Sequence, residues 1–162
     1  MGEIQILADS CCDLGRDLAE KYNIGIVPLY VLLGDRAYRD GLEITPADIY
    51  EHYSRTHETP KTSAANVEDY ADYFRPHAEA GRAIVYIGIS TEFSSTVENA
   101  RQAAARFPEA EIHIVDSRNL STGIGLLVLK ACELRDEGKT AAQIAERINE
   151  LTAYSRASFV ID

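Results

Sequence analysis

The chain has 162 residues, of which 46% are hydrophobic and 26% are charged, and its formal net charge is −10 at pH 7. This length and composition are typical of one globular domain with a sizeable core. The acidic balance argues against binding to nucleic acid or docking on anionic membranes, because both need clustered Lys and Arg. Three cysteines without metal-type spacing, and an N-terminus without a signal-peptide pattern, predict a reduced cytoplasmic protein. No apolar stretch approaches the ~18 residues of a membrane span.

The first part of the chain alternates short apolar runs with amphipathic stretches. Residues 4–8 predict a buried strand, and residues 14–22 a helix whose apolar positions recur every four residues. Residues 24–33 predict a second strand that is bulged or at a sheet edge at Pro28, because proline cannot donate to the ladder. A short returning strand over residues 37–41 is predicted after a turn.

The remaining predicted elements follow from caps and periodicity. In order they are a helix that starts at Thr45-Pro46, a helix capped by Asn66, a strand over 83–89, a helix over 94–107, a strand over 112–115 that ends in Asp116, a helix over 120–137 stopped by Gly138, and a helix from 141 to about 154 capped by Thr140. Strands that alternate with helices predict an α/β fold with three layers and a mostly parallel, doubly wound sheet. Residues 157–162 resemble a strand that either closes the domain at a sheet edge or begins a linker in a longer protein.

Short hydroxyl or acidic side chains follow apolar runs and precede helices at four places, which are residues 9–13, 61–63, 90–96 and 116–117. The N-terminus of a helix offers free N–H groups to anions, and ligands of doubly wound sheets bind at the carboxyl ends of the strands. The sequence therefore predicts a site that holds an anionic group at that end of the sheet.

These clusters differ in how strongly they indicate a site. Residues 90–96 contain five hydroxyls, whereas capping a helix needs only one, so a ligand role is favoured there. Thr62 and Ser63 give a weaker signal, because Ser and Thr are common in loops. Asp9 with Ser10 fits a site or a helix cap equally well, and capping is the favoured interpretation of residues 116–117.

No strong nucleophile–base pair, metal-ligating cluster or nucleotide loop is evident, so we predict no catalytic residue, no metal and no cofactor. A phosphatase cradle needs five residues between cysteine and arginine, whereas Cys11 and Arg16 have four between them. One enzyme hypothesis stays open: an α/β enzyme that acts on a small phosphate or carboxylate ester. Ser10 or Cys11 would then be the nucleophile, and Asp9 or Asp116 an accessory group.

Taken in order along the chain, the motifs resemble those of the DegV family of bacterial fatty-acid-binding proteins. The matching segments are Asp9-Ser10, Asp13-Leu14, Val27-Pro28-Leu29, Tyr38-Arg39-Asp40-Gly41, Thr62-Ser63, Ile89-Ser90 through Thr96, and Val115-Asp116-Ser117. Two positions depart from the family pattern. Ser95 stands where the family usually has glycine, and Cys11-Cys12 replaces small and hydroxyl residues.

The resemblance implies a long-chain fatty acid bound between two domains, with residues 1–162 as the N-terminal domain of a longer protein. It implies that Thr62 and Ser94 hold the fatty-acid carboxylate. The possible supporting residues are Ser63, Ser95, Thr96, Asp9 and Ser10. It further implies a non-enzymatic protein of phospholipid metabolism, which presents the fatty acid to a separate fatty acid kinase. The apolar tunnel would need both domains, so the isolated domain should bind lipid poorly.

Overall fold

The computed structural model describes residues 3–158. In this part of the chain the strands are β1 (Ile4–Asp9), β2 (Ile24–Val27), β3 (Tyr30–Leu33), β4 (Arg36–Arg39), β5 (Lys61–Ser63), β6 (Ala83–Gly88) and β7 (Ile112–Asp116). The helices are α1 (Arg16–Lys21), α2 (Pro46–Thr56), α3 (Val67–Glu79), α4 (Thr96–Ala104), α5 (Thr122–Asp136) and α6 (Ala141–Leu151), and a 3-10 turn covers Ser10–Cys12.

Four strands form a parallel sheet in the order β2-β1-β6-β7. The strands read as nearly continuous apolar runs because helices cover both faces of the sheet. Ile6 and Val85 lie in one apolar cluster with residues of α5 and α6, whereas Leu7 and Tyr86 lie in a second cluster with residues of α3 and α4. The predicted three-layer, doubly wound α/β fold is therefore confirmed.

A second, antiparallel sheet has the order β4-β3-β5. The prediction of one strand over residues 24–33 is wrong, because the chain leaves the parallel sheet after Val27 and enters the second sheet at Tyr30. Pro28 lies at the division, where its missing N–H costs no ladder hydrogen bond. The predicted returning strand is present as β4.

The Thr62–Ser63 segment also differs from its prediction. It is not a loop at the carboxyl end of a parallel strand, since residues 61–63 form β5 and pair with β3, with Thr62 opposite Val31. Pairing at a sheet edge leaves the side chains of this short strand exposed. This segment thus belongs to the second sheet, which positions it near the carboxyl end of the parallel sheet.

Most helix boundaries follow local signals. Thr45, Asn66 and Thr140 each form the predicted N-cap, with reciprocal side-chain and backbone hydrogen bonds. Gly138 follows α5 with a φ of 81°, a left-handed conformation that suits glycine. The first helix is shorter than predicted, since Gly15 is its N-cap residue and Tyr22 its C-cap residue.

The predicted capping by residues 116–117 is wrong. The N-cap of α5 is Ser121, and Asp116 instead accepts hydrogen bonds from the Thr91 hydroxyl at 2.8 Å and from the Arg118 N–H at 2.9 Å. Residues 155–158 have no regular structure, and the rest of the predicted terminal strand lies outside the described residues.

Candidate ligand-binding site

A cavity of about 360 Å³ lies where the carboxyl end of the parallel sheet meets the second sheet. Its walls come from the segments after β1 and β6, from β3 and β5, and from the turn after β4. The lining residues are Cys11, Leu29, Tyr30, Val31, Asp40, Thr62, Ser63, Ala64, Ile89, Phe93, Ser94 and Ser95. The structure thus places Thr62 and Ser94 on the same cavity, whose lining also includes the apolar side chains of Leu29, Val31 and Ile89.

The loop that carries Ser94 is held by backbone hydrogen bonds. The Ser94 N–H donates to the Ser90 carbonyl oxygen at 3.2 Å, and the Ser90 N–H donates to the Asn119 carbonyl oxygen at 3.0 Å. The Ser94 hydroxyl accepts from the Thr96 N–H at 3.3 Å and shares a short hydrogen bond with the Thr96 hydroxyl. Ser94 is half-buried. Its hydroxyl is held by the hydrogen bonds with Thr96, and the side chain lines the cavity.

The segment that carries Thr62 is tied to the helix that follows this loop. The Asn99 side chain, in α4, donates to the Ala65 carbonyl oxygen at 2.8 Å. Ala65 is buried and lies just past the end of β5. This bond, together with the β3–β5 pairing, brings two segments that are distant in sequence to one cavity.

Asp9 and Ser10 lie behind the cavity wall rather than on it. The Asp9 carboxylate is fully buried and accepts from the Ile89 N–H at 2.7 Å and from the Tyr86 hydroxyl at 3.3 Å. Burial raises the pKa of Asp9 to about 6, against the opposing effect of these hydrogen bonds. The Ser10 hydroxyl accepts from the Leu29 N–H at 3.2 Å. Each side chain therefore holds the backbone of a lining residue, and neither caps a helix.

The three other supporting candidates lie on the cavity or directly behind it. Ser63 and Ser95 line the cavity. Ser95 is the N-cap residue of α4, but its side chain makes no capping bond. Thr96 is fully buried and its hydroxyl faces that of Ser94.

Sequence reasoning did not place Cys11 or Asp40 on the wall of a binding site, and it did not single out the lining residues Tyr30, Val31 and Ala64. Burial raises the pKa of the Cys11 thiol to about 12, and the charges of Asp9 and Asp40 contribute to this rise. The thiol is therefore protonated at neutral pH. Asp40 adds negative charge to the wall of a site that was predicted to hold an anion. Its turn was one of the matching motifs, yet no local pattern places it beside the segment after β1.

The arrangement gives no support to the ester-hydrolysing hypothesis. The Ser10 hydroxyl accepts a backbone N–H, and the hydrogen bonds of Asp9 go to Ile89 and Tyr86 instead of to a nucleophile. Asp116 is bonded to Thr91 and Arg118. Residues 3–158 contain no group of three or more His, Cys, Asp or Glu side chains that could hold a metal ion. Among these same residues, no helix has the length and apolar character needed to cross a membrane.

The fold and the site define an α/β domain with a parallel sheet whose carboxyl end opens on a cavity lined by hydroxyl and apolar side chains. The chain belongs to the DegV family, because the family model, described as "Uncharacterised protein, DegV family", matches residues 3–162. A DegV domain-containing protein of Clostridium perfringens is 30% identical over 162 residues, which cover 100% of this chain and 58% of that protein. The chain thus spans little more than half the length of this curated relative.

Two solved structures share both the fold and a sizeable identity. A fatty-acid-binding DegV family protein from Thermus thermophilus is 34% identical with a TM-score of 0.85, and the match covers 93% of this chain and 54% of that one. A stearic-acid-binding protein from Eubacterium ventriosum is 33% identical with a TM-score of 0.83, and the match covers 90% of this chain and 52% of that one. Both neighbours are thus described as binding fatty acids, and the predicted family membership is confirmed.

Proposed function

We propose that the protein binds a long-chain fatty acid, whose carboxylate lies in the cavity and accepts hydrogen bonds from the Thr62 and Ser94 hydroxyls. The observation that carries this proposal is the shared cavity, which Thr62 and Ser94 line together with apolar residues. The fatty-acid binding described for the two solved neighbours supports the same ligand class. Ser95 is a further donor on the cavity, whereas the Ser63 hydroxyl donates to the Ala64 carbonyl oxygen at 3.4 Å. Asp9 and Ser10 support the cavity wall by holding the backbone of Ile89 and Leu29.

The two ends of such a ligand would contribute differently. A hydrogen bond from a hydroxyl to a carboxylate is charge-assisted and contributes about 1.5–3 kcal/mol. Each buried methylene of the acyl chain contributes about 0.8 kcal/mol, so most of the affinity comes from the chain. In this proposal the head group fixes the orientation of the ligand, and the acyl chain supplies the binding strength.

The apolar surface for the acyl chain would come partly from outside these residues. The cavity wall offers few apolar side chains, of which Leu29, Val31 and Ile89 are the aliphatic ones longer than alanine. We propose a second domain that completes the binding site, so that the fatty acid lies in the cleft between the two. The isolated domain should then bind fatty acid much more weakly than the full-length protein does.

The proposal is tested by mass spectrometry of lipids extracted from the purified full-length protein, together with titration of a fatty acid. Thr62→Ala combined with Ser94→Ala should lower the affinity by about two to four orders of magnitude, since two charge-assisted bonds are removed. Thr91→Ala is a matched control, because Thr91 is an exposed hydroxyl of the same loop that bonds Asp116 and does not line the cavity. A protein without co-purifying fatty acid, whose affinity the double substitution leaves unchanged, would refute the proposal.

We further propose that the protein is not itself an enzyme but a cytoplasmic partner that presents the bound fatty acid to a fatty acid kinase. The protonated Cys11 thiol and the engaged Asp9 and Asp116 carboxylates support a binding role over a catalytic one. The resemblance to the DegV family supports the proposal of a kinase partner. In the test, ATP-dependent acyl phosphate formation by the purified kinase should require the loaded full-length protein. Ester hydrolysis by this protein that Cys11→Ala or Ser10→Ala abolishes would instead establish catalysis.

A further inference from the structure

We infer that Thr96 is a positioning residue, which directs the single hydroxyl proton of Ser94 into the cavity and so sets the preference of the site for a carboxylate. This inference rests on the proposed function, since it concerns how one of the two proposed donors is oriented. Thr96 does not line the cavity and would not touch the ligand.

The burial of Thr96 determines which hydroxyl donates. Thr96 is the first residue of α4 and is fully buried, with 0% of its surface exposed. Within residues 3–158 its hydroxyl has Ser94 as its one side-chain partner. A buried hydroxyl that donates to nothing is costly, so the Thr96 proton goes to the Ser94 oxygen. If Ser94 donated instead, the Thr96 proton would have no acceptor in the part of the chain that the structure describes.

The Ser94 oxygen then has both of its acceptor positions occupied. One accepts the Thr96 hydroxyl and the other accepts the Thr96 backbone N–H at 3.3 Å. A serine hydroxyl has one proton and two lone pairs, so the remaining capacity of Ser94 is that proton. Since Ser94 lines the cavity, its proton is available to a ligand there.

A donor that cannot also accept selects the chemistry of the head group. A carboxylate is an acceptor only, so it uses this donor fully and gains a charge-assisted bond. The oxygen of an alcohol of the same chain length can also accept from Ser94, but this bond is not charge-assisted, and the alcohol proton finds no acceptor on Ser94. Thr96 would thus favour a fatty acid over a fatty alcohol without contacting either.

The experiment compares palmitate with 1-hexadecanol binding to the full-length protein and its Thr96→Val variant, which has nearly the same shape and lacks the hydroxyl. We expect the substitution to lower palmitate affinity about tenfold and to change hexadecanol affinity less than about twofold. Thr96→Ser keeps the hydroxyl and should restore the palmitate preference. Thr96→Ala serves as a second variant without the hydroxyl if the valine variant fails to fold.

Ser94→Ala separates the failure of this inference from the failure of the proposed function. If Ser94→Ala lowers palmitate affinity and neither Thr96→Val nor Thr96→Ala does, the inference is wrong while the function stands. Equal losses for palmitate and hexadecanol would show that Thr96 acts through packing alone and would also overturn the inference. If wild-type protein does not bind palmitate, or Ser94→Ala leaves its binding unchanged, the assigned role of Ser94 fails and the inference fails with it.

Discussion

Replacing Asp9 by asparagine should remove a loss of stability that the wild-type protein shows as the pH rises from acid to neutral. Asp9 Oδ2 accepts both hydrogen bonds of this side chain, from Ile89 and Tyr86, while its Oδ1 is buried without a partner among residues 3–158. An asparagine oxygen can accept the same two bonds. The substitution therefore keeps these two bonds and removes the charge that burial disfavours. Its amide N–H groups replace the unpartnered Oδ1, which adds a cost that does not vary with pH.

The raised pKa of Asp9 gives both the magnitude and the sign of this effect. Burial raises the pKa from 3.8 to about 6, so between these values the folded chain holds a proton that the unfolded chain releases. The free energy of unfolding therefore falls as the pH rises through this window, by about 1.4 kcal/mol for each pH unit between the two pKa values. In total, the protonated Asp9 carboxyl contributes about 3 kcal/mol to the free energy of unfolding. This contribution is fully present below pH 3.8 and is lost above the pKa of the folded state.

Urea unfolding of the wild-type and Asp9→Asn proteins at several values between about pH 4 and pH 8 measures this difference. Other carboxylates titrate equally in both proteins, so their contributions cancel in the comparison. The free energy of unfolding of the variant, relative to that of the wild type, should increase steadily with rising pH, by about 3 kcal/mol in all. This difference should level off above about pH 7. A difference that stays constant across this range would show that the buried carboxyl has an ordinary pKa, and would refute the reasoning.

Three further outcomes test packing, capping and charge. Gly88→Ala would place a Cβ 2.6 Å from the Tyr86 hydroxyl oxygen and should cost about 1–3 kcal/mol in unfolding free energy, whereas Gly15→Ala, with nothing within 4 Å, should have little effect. Thr140→Ala removes the N-cap of α6 and should cost about 1 kcal/mol, measured by chemical denaturation, with Thr140→Ser close to wild type. Asp40→Asn removes a negative charge from the cavity wall and should tighten fatty-acid binding about threefold, or about 0.7 kcal/mol, in a titration. Unchanged binding would show that Asp40 is screened from the head group.

Local patterns in the sequence predicted the fold class and most of the helix starts. Apolar periodicity separates strands from helices because each has its own repeat, and the order of elements then indicates the doubly wound sheet. Thr45, Asn66 and Thr140 were predictable as caps because a cap needs only residues within one turn of helix. Asp116 was misassigned, since its partners Thr91 and Arg118 include a residue from another loop.

By itself, the sequence determined that this protein has an α/β fold, and its ordered motifs indicated the DegV family and the hydroxyls to consider. Only the tertiary structure decided that the chain changes sheets at Pro28 and that β5 pairs at the edge of the second sheet. It also decided that Thr62 shares a cavity with Ser94 and with Asp40. The physical reason is range: helix and strand preferences act over a few residues, whereas strand pairing and cavities depend on contacts between segments far apart in the chain.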